Sequence, residues 1–141
     1  MVATVQRRYA TPFHPLHALL VGGAATMFLG ALLSDIAYFR TFEIQWNNFA
    51  SWFIVGGLVL GGAAMVCALL GLAPARRTRA SLPHALLWLA AWVFGFFNAL
   101  MHARDAWASM PGGLVLSVIT FALACVATFF AAFPDRTGGA K

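Results

Sequence analysis

A chain of 141 residues that is 62% hydrophobic and only 9% charged is too apolar for a soluble domain, in which about a quarter of the residues carry charge. The net charge of +5 lies in the segments that flank apolar runs, so it describes membrane topology and not a nucleic-acid footprint. A helix needs about 20 mostly apolar residues to cross the hydrocarbon core, and four segments meet that length: about 16–39, 50–73, 83–103 and 113–133.

The first segment follows Arg7-Arg8, as a signal peptide would, but it is too long for one. Ser34-Asp35 closes it without a small-residue cleavage site, so it reads as a retained helix. Pro15 suits its first turn, where the missing N–H costs nothing. Ala18, Gly22, Thr26, Gly30 and Ser34 follow a four-residue step that favours close packing in lipid, as do Gly57 and Gly61 in the second segment. Gly22 and Gly23 also offer room for a flat macrocycle near His17. Ser81 and Pro83 mark the start of the third segment. Pro111 with two glycines leads into the fourth, and Pro134 ends it. Tyr38, Trp46, Trp52 and Trp107 form an aromatic belt at one interface. Cys67 and Cys125 are expected to be buried free thiols. No Cys-x-x-Cys-His occurs, which excludes c-type haem attachment.

These segments predict an all-α, four-helix transmembrane bundle occupying residues 1–141 as a single domain, with no room for a soluble one. It is not expected to be an enzyme alone, and a catalytic partner would be a separate chain. Arg7, Arg8, Arg76, Arg77, Arg79, Arg136 and Lys141 fall on one side of the membrane and Arg40 and Arg104 on the other. Basic loops stay in the cytoplasm, so both termini are expected there.

A short repeat orders the chain. His17-Ala18-Leu19-Leu20 matches His84-Ala85-Leu86-Leu87, and Gly56-Gly57-Leu58-Val59-Leu60 matches Gly112-Gly113-Leu114-Val115-Leu116. The intervals differ, 39 residues in one half and 28 in the other, which a longer first outer loop would explain. Two readings stand: a tandem pair of helical hairpins related by an axis along the membrane normal, or coincidence in a chain rich in Ala, Gly, Leu and Val.

Ionisable groups inside apolar segments are costly and are functional candidates by default. His17 and Asp35 are eighteen residues apart, as are His84 and His102. Eighteen residues make five helical turns and span ~27 Å, so each pair shares one helix face and reaches both ends of the core. If the two faces meet, His17 joins His84 at one end and Asp35 joins His102 at the other. The first pair suits the axial positions of a b-type haem iron, with His14 as an alternative ligand on helix 1. Arg76, Arg77 and Arg79 would meet its propionates, and Phe13, Trp88 and Met65 its ring. Interfacial structural histidines are an equal alternative, and a transition metal held by His14, His17 and His84 is a third. At the other end Asp35, His102, Asn98 and Tyr38 suit a quinone or proton site. A structural ion pair of Asp35 with His102 or Arg104 is the favoured reading there. No phosphate loop, nucleophile elbow or glycosidase-like carboxylate pair is present, and Gly22-Gly23 follows no strand.

His14-Pro15, Ser34-Asp35-Ile36-Ala37-Tyr38, Trp46, Trp52 and His84 resemble the bacterial membrane family called domain of unknown function 2231, over about residues 13–133. The resemblance implies a four-helix inner-membrane protein. Relatives joined to Rieske-type or cytochrome c-type modules, or encoded beside periplasmic dehydrogenases, imply membrane electron transfer. The expected function is therefore a small redox subunit of the lipid bilayer. It would bind haem b and exchange electrons with quinone or with a membrane or periplasmic oxidoreductase or cytochrome. The alternatives are a cofactor-free anchor or assembly subunit and, less favoured, a proton- or metal-handling transporter. A homo-oligomer is compatible with each.

Overall fold

The structure, a computed structural model, describes residues 15–72 and 81–132. His14, Arg76, Arg77 and Arg79 lie outside these residues, as does Phe13. Among the described residues five helices follow one another: α1 (Pro15–Thr41), α2 (Ile44–Leu70), α3 (Ser81–His102), the single turn α4 (Ala106–Ser109) and α5 (Gly112–Ala132). Four of them are long and apolar enough to cross a membrane. Lipid-facing positions carry large apolar side chains such as Leu19, Leu33, Val59 and Phe97. With no water in the hydrocarbon to satisfy backbone groups, helices are the form that such segments must take.

Around the bundle the order is α1, α2, α3, α5, so α1 stands diagonally across from α3 and α2 from α5. The buried faces carry an internal symmetry. His17, Val21, Ala24, Phe28, Ala31 and Asp35 of α1 correspond, 67 residues on, to His84, Trp88, Ala91, Gly95, Asn98 and His102 of α3. Ala50, Ile54, Gly57, Gly61 and Ala64 of α2 correspond, 63 residues on, to Gly113, Ser117, Thr120, Ala124 and Ala127 of α5. The duplicated HALL string therefore marks equivalent positions. The GGLVL string does not: Gly56 corresponds to Ile119, and Gly112 opens a helix that Gly56 sits deep within.

The longer first loop does not exist. Only Phe42 and Glu43 separate α1 from α2, and the spare residues extend the helices instead. Apolar length locates the hydrocarbon core, whereas a helix continues past it wherever its polar residues find water or a bundle face. Asn47, buried on such a face, does this in the first turns of α2. The hairpin turns at Phe42, whose φ of 53° is unusual for a residue with a side chain. Its amide donates to the Tyr38 carbonyl at 2.7 Å, and its ring stacks on Trp107 of α4 with centroids 5.5 Å apart.

Large and small residues alternate across the axis. Phe28 fills the space left by its own counterpart, Gly95, and by Gly57. Trp88, the counterpart of Val21, donates its indole N–H to the Gly61 carbonyl at 3.0 Å. With Val21, Ala24, Ala64, Ala91, Ala124 and Ala127 these rings make an apolar middle layer. Two details differ from expectation. Gly22 faces outward and Gly23 meets Leu60 of α2, so neither borders the histidines. Cys67 is half-buried and Cys125 exposed, both free, because each falls on a lipid-facing stripe.

Candidate functional site

At the end where α1 and α3 begin, His17 and His84 project from diagonal helices and meet on the bundle axis. Their Nε2 atoms are 3.1 Å apart, and both side chains are buried. The ring centroids are 5.3 Å apart with the planes 79° from parallel, so the rings point at each other nearly head-on. His84 Nδ1 lies 3.0 Å from the Ala127 carbonyl of α5. A carbonyl only accepts, so that nitrogen carries the hydrogen and the neutral His84 ring presents a lone pair at Nε2. His17 then donates its Nε2–H. A ring whose Nδ1–H is fixed by a carbonyl is how proteins present an imidazole to a metal.

At the opposite end Asp35 is wholly buried. Its Oδ1 lies 2.8 Å from His102 Nε2, and its Oδ2 accepts from the Ser117 hydroxyl at 2.5 Å. Asn98 Nδ2 donates to Ser117 at 2.7 Å, and His102 Nδ1–H donates to the Asn98 carbonyl at 3.0 Å. One proton lies between Asp35 and His102 whichever group formally holds it. The network ties α1, α3 and α5 together. Arg104 is exposed and turns to the Met101 sulfur at 3.8 Å, so it is not the partner of Asp35.

Both cross-bundle pairings read from the eighteen-residue spacing are thus brought together, and Asn98 joins the second. Tyr38 does not behave as part of the aromatic belt. It is 1% exposed and packs edge-on to Phe42, whereas Trp46, Trp52 and Trp107 are exposed. Ser117 is not among the residues the sequence singles out, although a hydroxyl within an apolar span is itself a signal. In the sequence Gly113 belongs to the turn before the fourth segment and to the GGLVL repeat, neither of which signals a contact with His102. A Cβ there would sit 2.8 Å from His102 Cε1, and the ring cannot retreat because both nitrogens are engaged. Gly113→Ala is expected to cost about 1–2 kcal/mol by overpacking. It should also shift the His102 ring resonances in NMR spectra of ring-labelled protein; unmoved resonances would show that the ring is not held there.

Among the described residues no group of three or more His, Cys, Asp or Glu side chains is placed to hold a metal ion. Four apolar spans closed around two buried polar pairs define a multi-pass, four-helix membrane protein. The family model described as a predicted membrane protein, DUF2231, matches residues 13–132. The chain belongs to that family. No curated protein and no solved structure matches it.

Proposed function

We propose that the protein is a small electron-transfer subunit of the bacterial inner membrane, with both termini cytoplasmic, that holds one b-type haem through His17 and His84. The observation that supports this is the head-on meeting of two buried imidazoles from diagonal helices, with the His84 tautomer fixed by the Ala127 carbonyl. The donor chemistry fits: two neutral imidazoles are a common axial set. The spacing is that of a pair bonded to itself. Two metal–nitrogen bonds of about 2 Å each need the nitrogens ~4 Å apart, so the rings must part by ~1 Å and α2 and α5 must give way beside them. Among the described residues the buried positions that those two helices carry toward this end are small: Ala64, Ala68, Ala124 and Ala127. Haem iron held there would supply one-electron exchange with a quinone or a partner oxidoreductase. The chain's own residues orient the ligands and keep water from them.

The test is a dithionite-reduced minus oxidised visible spectrum of protein made with ample haem and purified in mild detergent. A sharp reduced b-type band, abolished by His17→Ala and by His84→Ala while both variants stay helical and monodisperse, is the expected result. Well-folded protein without the band overturns the proposal. One observation favours a second reading, a cofactor-free anchor subunit: His17 and His84 already hydrogen-bond to one another across the bundle axis.

A further inference from the structure

Beside the Asp35–His102 network a cleft of about 380 Å³ opens between the start of α2 and the end of α3. Its polar walls come from Gln45, Asn47, Asn48, Ser51, His102 and Arg104. The volume lies in the range of small-molecule sites. Asn47 is 5% exposed, and its Oδ1 has no hydrogen-bond partner among the described residues. A buried carbonyl oxygen without a partner is costly and asks for a donor. Arg104, on the opposite wall, carries only donors and asks for an acceptor. His102 offers neither, because its side chain is buried and both its nitrogens are engaged inside the bundle. A matching ligand therefore carries an O–H at one edge and an oxygen acceptor at another, and reaches the level where the spans end.

We propose that this cleft binds the head group of a hydroquinone-class molecule, one hydroxyl donating to Asn47 Oδ1 and the other oxygen accepting from Arg104. The choice of a redox-active ring rests on the electron-transfer reading, whereas the need for a donor ligand rests on the cleft alone. The step proposed is binding, with no electron moved at this end.

The test is anaerobic titration calorimetry of the detergent-purified protein with decylhydroquinone, and separately with decylquinone. Saturable one-to-one binding of the hydroquinone is expected. Asn47→Leu and Arg104→Gln should each weaken it roughly tenfold, what one hydrogen bond is worth. The quinone, lacking the O–H, should bind about tenfold more weakly. Arg104 is exposed, so Arg104→Gln remains informative even if Asn47→Leu fails to fold. Absence of saturable binding, equal binding of both ring forms, or binding indifferent to both substitutions overturns the proposal. Repeating the titration on the His17→Ala, His84→Ala double variant separates the two sites: binding retained there upholds the cleft even if no haem is found. Binding lost there, in protein that stays folded, shows that the cleft does not act alone and overturns it as stated.

Discussion

Asp35→Ala is expected to lower stability by about 3–5 kcal/mol, the cost of removing one partner from a buried, hydrogen-bonded charge pair. The substitution strips His102 Nε2 and the Ser117 hydroxyl of their shared acceptor and leaves a void where three helices meet. Asp35→Asn separates the two contributions. With His102 Nδ1–H held by the Asn98 carbonyl, a neutral ring offers its Nε2 lone pair to the new amide N–H, and the amide oxygen still accepts from Ser117. The asparagine variant should therefore lose about 1 kcal/mol or less. Denaturation in detergent by heat or by rising SDS fraction reads both. A loss under about 1 kcal/mol for alanine would mean that the network does not hold the bundle together. Equal losses for both variants would mean that the carboxylate charge, and not the hydrogen-bond pattern, is what matters.

Gly57→Val should be nearly as damaging. A Cβ at position 57 would stand 2.5 Å from Phe28 Cε1 and 2.8 Å from its Cδ1. The ring is already confined there, because Gly95 lies against the same Cε1–Cζ edge, where a Cβ would be 3.3 Å away. Overpacking of this kind costs about 3 kcal/mol. Phe28→Leu shortens the wedge, so the double variant should recover more than half of the loss. Simple additivity in that cycle would show that residues 28 and 57 do not press on one another.

Both results bear on what the sequence discloses. The pairing of α1 with α3 was readable because two costly groups on each helix fall eighteen residues apart, and helical geometry leaves little freedom in where they point. The register of α2 against α5 was not readable. Their buried faces are made of Gly, Ala, Ser and Thr, and in such a stretch a five-residue match such as GGLVL arises by composition. The true offset of 63 appears only in the burial pattern. The short α1–α2 turn is hidden in the sequence for a related reason. Asn47 and Asn48 look like loop residues, yet the first sits inside the bundle and the second beside the cleft. Ser117 and Asn47, neither ionisable, complete the chemistry of that end, and a lone hydroxyl or amide in an apolar chain carries little sequence signal.

The apolar middle layer of Phe28, Trp88 and their alanine neighbours has an electrical consequence. It separates the two polar ends by most of the ~27 Å that the paired residues span, and in a membrane most of the transmembrane voltage falls across such a low-dielectric slab. A unit charge carried through it gains or loses about 2.3 kcal/mol per 100 mV. Asp35 and His102 lie at one edge of that slab, so a proton exchanged between them and that side crosses almost none of the field. Events at the two ends are thus insulated from each other unless a charge traverses the layer, and current measured under a clamped voltage would register only those that do.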